Sequence, residues 1–222
     1  LVVQNGGLKE PILVVGGSGR TGRHIVEQLR RDASHPVRVL SRHGGDVDAE
    51  LVVGSITEPN DVRRAAGDTA GVVVCVESSE QPGANGPEPV HLHGVENVLA
   101  AAPPAAHIVL VTQIYITRPE AFERVRDVIL ARGRGEEALR TSGRPYTIVR
   151  PSWLTNEPGG GQAIRFEQGD TGEGEIARAD VAAVVVAALG SPDAVGKTLE
   201  IYNEPGEPPD DWNAAFAGLR KD

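Results

Sequence analysis

The densest chemistry in the sequence is a seven-residue loop, Gly16-Gly17-Ser18-Gly19-Arg20-Thr21-Gly22. It follows the apolar run Ile12 to Val15 and leads into a segment with Ile25, Val26 and Leu29 at helical spacing. Gly16, Gly19 and Gly22 are spaced GxxGxxG. The first permits a tight turn, the second lets backbone approach a diphosphate, and the third lets a helix pack closely on a strand. The N–H groups that open the helix, at Arg20 and Thr21, then face an anion. A glycine cluster alone is equally an ordinary turn, but a strand before it and a helix after it make it a dinucleotide-binding loop. A P-loop requires Lys and then Ser or Thr after Gly22, where Arg23 and His24 stand, and a hydrolase elbow requires Gly at Arg20.

The cofactor's identity follows from the second strand. A site selective for NAD places an acidic residue at its end to hold the ribose 2′-hydroxyl. Here the chain reads Val37-Arg38-Val39-Leu40-Ser41-Arg42, with no carboxylate before Asp46. Arg42 can pair with a 2′-phosphate, and Arg20 can add a second positive charge, so NADP(H) is expected over NAD(H). Solvated surface arginines are the alternative reading of both.

These residues need a scaffold, and the hydrophobic pattern supplies one. Apolar runs at 12–15, 37–40, 51–53, 72–76, 108–111, 146–149 and 198–202 are candidate strands. Several lack in/out alternation, as parallel strands covered on both faces do. Helix signals lie between them: 21–31, a segment opened by Pro59, 90–102 stopped by Pro103, 120–141, 180–189 with Asp180 as cap, and 212–219. Gly133 and Gly135 are the points where 120–141 could divide. The expectation is α/β: a single Rossmann-type doubly wound parallel sheet of about seven strands with helices on both faces, one domain over 1–222. Segments 78–89 and 155–171 read as loops, and the substrate side is expected mainly from 78–89 and 151–177.

Composition bounds the partners. Twenty-two basic against 31 acidic residues give a net charge of −9 in 222 residues, which argues against nucleic acid. No apolar stretch approaches the roughly 20 residues that span a bilayer, and no leader is evident, so no membrane partner and a cytoplasmic location are expected. The lone Cys75 lies in an apolar run and reads as a small buried hydrophobe. His91 and His93 are two apart and the other histidines are scattered, so no metal site is expected.

Longer motifs resemble those of the atypical short-chain dehydrogenase/reductases, in the small NAD(P)H-binding group that includes NmrA-like and biliverdin/flavin reductase B-like proteins. The likeness runs from Ile12 to Tyr202. The three loop glycines match the family's TGATGxxG. The stretch Glu136 to Pro151 is close to its E-x-x-L-R-x-S-G-x-x-Y-T-I-x-R-P, and Ile176 to Ala182 is similar to I-x-R-x-D-V-A. By resemblance Ser55, where Asp is frequent, faces adenine, and Pro151 borders the cofactor. Trp153 after it is expected to line the nicotinamide end.

The departures bear on activity. The family's Tyr-Lys pair is absent: the lysines are Lys9, Lys197 and Lys221, and by resemblance Arg134 or Arg132 occupies the helical region of the lysine. Tyr115, just past the fifth strand, is the candidate acid, with Thr112 as a hydroxyl donor. Its other reading is a loop aromatic packed over the crevice. Arginine binds ribose and supplies charge but gives up no proton. Two readings follow: an NADPH-dependent reductase of a small conjugated or aromatic substrate, or a non-catalytic NADP(H)-binding regulator or redox sensor. A nucleotide-sugar epimerase is disfavoured, since 222 residues leave little room for a further substrate domain.

Overall fold

A computed structural model describes residues 9–222. Its main sheet has eight strands in the order β3-β2-β1-β4-β5-β6-β10-β8. The seven expected strands are β1 (Ile12–Val15), β2 (Val37–Ser41), β3 (Glu50–Val53), β4 (Gly71–Val74), β5 (His107–Val111), β6 (Tyr146–Pro151) and β10 (Lys197–Glu204). All seven pair in parallel.

Alternation along each strand divides one apolar run between two cores. Ile12, Val14, Val73, Val109 and Val149 face α1 (Arg20–Asp32) and α5 (Arg178–Gly190). Leu13, Val15, Val72, Val74, Ile108 and Ile148 face α2 (Pro59–Ala66), α3 (Gly94–Ala101) and α4 (Arg126–Thr141). Each core side chain contributes roughly 1.5–3 kcal/mol of burial. The unbroken apolar character of β1 and β4 is thus explained, because both faces are covered.

Three expectations need correction. Segment 155–171 is not a loop throughout: β8 (Ala163–Glu167) runs antiparallel to β10 at the sheet edge. Short strands β7 (Trp153–Thr155) and β9 (Glu175–Ala177) pair separately. The segment 120–141 breaks before its glycines, with a 3₁₀ stretch (Pro119–Val125) kinked at Phe122 giving way to α4. Gly135 instead marks close packing, since a Cβ there would lie 2.0 Å from the carbonyl oxygen of His91. Asp180 does not cap α5, whose N-cap is Ala177. Its buried carboxylate accepts from Gly160 N–H at 2.6 Å and from Asn203 Nδ2 at 2.8 Å, tying a loop and β10 to the helix.

Candidate functional site

The carboxyl ends of β1, β2, β4, β5 and β6 open into a cleft of about 310 Å³. At its floor, Gly16 adopts φ 85°, and a Cβ there would lie 2.2 Å from the Cys75 carbonyl oxygen. Gly22 approaches the Gly16 carbonyl just as closely. Gly19 has only that carbonyl within 4 Å of a would-be Cβ, so its other side is open. No side chain caps α1 and no acid stands in its first turn, so the N–H groups at its start remain available to an anion.

Along the rim, Ser41 and Ser18 share a 2.6 Å hydroxyl hydrogen bond, and Arg42 follows. Ser55 lines the cleft, its N–H donating at 2.9 Å to Asp61, whose approach is possible because Gly54 has no Cβ. That N–H, then the Arg64 side chain, hold the Asp61 carboxyl below its usual range against desolvation. Cys75 borders the cleft too, but burial pushes its thiol up to about 12, which leaves no thiolate nucleophile.

At the opposite end stand Thr112, Arg132, Pro151 and Leu154. Thr112 donates its hydroxyl hydrogen to Glu136 at 2.7 Å, so toward the cleft it offers lone pairs. Glu136 is fully buried and bound by Arg150 at 3.1 and 2.6 Å and by Arg140 at 2.8 Å, while Arg150 also donates to Glu200 at 3.0 Å. Burial lowers the Arg150 pKa, but the Glu136 and Glu200 carboxylates outweigh it and hold the guanidinium above its ordinary value. Glu136, Arg140 and Arg150 of the long motif thus join Glu200 in one ionic network that orients Thr112.

Of the expected site residues, Gly16, Gly19, Arg20, Thr21, Arg42, Ser55, Thr112 and Pro151 line this cleft, and Gly22 packs behind the loop. Tyr115 and Arg134 do not. Tyr115 is buried, packed against Phe122 and Trp153 and under the Arg118 guanidinium; its hydroxyl donates to Glu173 and accepts from Trp153 Nε1 at 3.3 Å. Asp170 fixes it there, accepting from its N–H at 2.6 Å although its φ is 72°. Burial, then the Glu173 hydrogen bond, raise its pKa, which makes it a weaker acid. Arg134 points to the outer face of α4, 3.5 Å from Glu88.

Arg132, two residues earlier, enters the cleft instead, donating to Gln113 and to both oxygens of Glu77 at 2.7 and 2.8 Å. Trp153 is half exposed on the far face of β7, and Leu154 takes the cleft side. Glu77 and Arg178 were not singled out as site residues; the available signals were an acid directly after an apolar strand and the arginine of the Ile176 to Ala182 motif. Among the described residues, no group of three or more His, Cys, Asp or Glu could hold a metal, and no helix is long and apolar enough to cross a membrane.

The profile of the family described as NAD(P)H-binding matches residues 16–192. Three relatives align over differing lengths. High chlorophyll fluorescence phenotype 173 of Arabidopsis thaliana is 42% identical over 81 residues, 36% of this chain and 14% of that protein. Sanguinarine reductase of Eschscholzia californica is 32% identical over 59% of this chain and 52% of its own. The (4-alkanoyl-5-oxo-2,5-dihydrofuran-3-yl)methyl phosphate reductase of Streptomyces griseus is 31% identical over 80% of this chain. The chain spans only 62% of this last protein. Among solved structures, the oxidoreductase YlbE of Lactococcus lactis superposes with a TM-score of 0.77 at 20% identity, covering 94% of this chain and 96% of its own. A likeness at that identity carries the fold alone.

Proposed function

The chain belongs to the NAD(P)H-binding family, and from that premise we propose that it is an NADPH-dependent reductase of a small conjugated or aromatic acceptor. The observation that carries this reading is the charge of the cleft. Arg20, Arg42, Arg132 and Arg178 line it against the single carboxylate of Glu77, in a chain whose net charge is −9. Such a local field suits a polyanionic nucleotide. The start of α1 and the glycine loop fit a diphosphate, which a Cβ at Gly19 would crowd. Arg42 at the carboxylate-free end of β2 fits a 2′-phosphate. Ser55 borders the adenine side, and Pro151 and Leu154 the nicotinamide side.

When bound, the reduced nicotinamide supplies a hydride. Negative charge then gathers on the acceptor's carbonyl oxygen, and Arg132 is the cation that faces it. Its guanidinium stabilises that charge without giving up a proton, so the proton comes from water. Glu77 holds Arg132 from the solvent side, and its side chain is 71% exposed, so it can yield to an acceptor oxygen. Thr112, held by Glu136, accepts a hydrogen bond from an N–H or O–H of the bound molecule. The reductase names of two relatives agree with this chemistry.

The test is NADPH oxidation against a panel of quinones, enones and flavins. Arg132→Ala is expected to lower kcat/KM roughly 10²-fold while weakening NADPH binding far less than Arg42→Ala does. Tight NADPH binding with no acceptor turned over would reject the reductase. One observation favours the alternative, a regulator that binds NADP(H) without turnover: among the described residues no tyrosine or lysine lines the cleft. That reading requires a partner whose affinity differs between the oxidised and reduced cofactor complexes.

A further inference from the structure

Three arginines are buried among the described residues: Arg132, Arg150 and Arg178. The first two are met by carboxylates, Glu77 for Arg132 and Glu136 and Glu200 for Arg150. Arg178, 8% exposed, has no carboxylate within 4 Å among the described residues, its guanidinium meeting carbonyl and amide oxygens instead. Its Nη1 donates only to neutral groups, the carbonyls of Thr155 at 3.0 Å and Leu154 at 3.4 Å and Oδ1 of Asn156 at 2.7 Å. The acid nearest in sequence, Asp180, is occupied by Gly160 and Asn203. Burial, then the like charge of Arg20, pull the Arg178 guanidinium below its ordinary pKa. A buried cation faced by another cation is costly unless an anion joins them.

Placement identifies the anion. Arg178 opens α5, which packs along α1, and both Arg178 and Arg20 border the cleft. Arg20 opens α1 at the glycine loop, above β1, whereas Arg42 lies beyond β2 and Arg132 reaches the segments that follow β4 and β5. The space between Arg20 and Arg178 is therefore central, between the expected 2′-phosphate and the acceptor.

We propose that Arg178 and Arg20 together hold the bridging diphosphate of the dinucleotide, with Arg178 fastening that anion to the wall Leu154 to Asn156. This rests on the NADP(H) reading and extends it: one guanidinium binds cofactor with one edge and the substrate-side wall with the other. Loading the cofactor thereby sets the wall before an acceptor arrives.

Calorimetric titration of the full chain with NADPH, NADH and inorganic diphosphate tests this. Arg178→Gln should weaken all three at least tenfold, and Arg178→Lys, which keeps the charge, should recover most of the diphosphate binding. Arg42→Ala should weaken NADPH alone. If Arg178→Gln does not fold, as judged by its melting curve, Arg20→Gln at the exposed start of α1 must weaken the same three ligands. Unchanged dinucleotide binding in Arg178→Gln, or in Arg20→Gln when that variant is needed, would overturn the proposal and leave the cofactor reading intact, as would loss confined to NADPH. Failure of the unmodified chain to bind either dinucleotide would overturn both.

Discussion

Arg42 and Tyr115 show how differently two singled-out residues fare once the chain is folded. Arg42 stands on the cleft rim with no acid lining its end of β2. Replacing it with Ala should weaken NADPH by about 1–3 kcal/mol and leave NADH nearly unchanged, as measured by paired titrations. Equal losses would remove the 2′-phosphate assignment. Tyr115 has its hydroxyl committed to Glu173 and Trp153, away from the cleft. Tyr115→Phe is therefore expected to leave kcat unchanged and to cost about 1 kcal/mol in denaturant unfolding. A tenfold or larger fall in kcat with stability intact would return Tyr115 to the chemistry.

Helix packing decides the sign of a glycine substitution. In α4, Ala is the better helix former than Gly by about 1 kcal/mol. At Gly135, however, a Cβ would lie 2.0 Å from the His91 carbonyl oxygen, which is backbone and cannot rotate away. Gly135→Ala should be destabilising by about 1–3 kcal/mol despite the propensity gain, because the helices must separate. At Gly190, the last residue of α5, nothing lies within 4 Å of a Cβ. Gly190→Ala should be stabilising by roughly 0.4–1 kcal/mol. Urea unfolding of the two variants checks the opposite signs. The sequence marked a helix in both regions, but the closeness of α4 to the turn at His91 depends on how two distant segments meet.

Across the whole molecule, buried histidines set the acid response. Burial, with the nearby Arg132 charge, pushes His91 down to about 2, and burial also lowers His107. His91 stays neutral in the folded state while the unfolded chain takes up a proton there below about pH 6.5, and His107 acts in the same direction. The contribution of His91 is thus complete above that pH and is lost as pH falls, by about 1.4 kcal/mol per pH unit. Asp61 and Asp68, held below the usual carboxylate range, add the same trend only below about pH 4. Melting temperatures should fall between pH 6.5 and 5, and His91→Asn should flatten the slope. A melting temperature that rises over this interval would contradict the buried neutral assignment.

Local pattern determined much of this protein. Apolar runs covered on both faces, the GxxGxxG spacing and the strand–loop–helix order lead to a doubly wound sheet with an anion-ready loop at its carboxyl edge, because those features are read within a few residues. The edge strand β8 escaped that reading: Ile164 and Phe166 alternate with Arg165 and Glu167 amid glycines, and the strand forms only by pairing with β10. The choice between Arg132 and Arg134 also lay beyond it. Two residues of helix rotate a side chain by about 200°, so one enters the cleft and the other faces out, and which one depends on how α4 docks. Tyr115 was drawn away by Asp170 and Glu173, more than fifty positions later. The charge of the cleft was likewise a tertiary outcome, since four arginines from separate elements converge there while the chain as a whole is acidic. Sequence specifies which groups exist and which face of an element they share; long-range packing decides which of them meet.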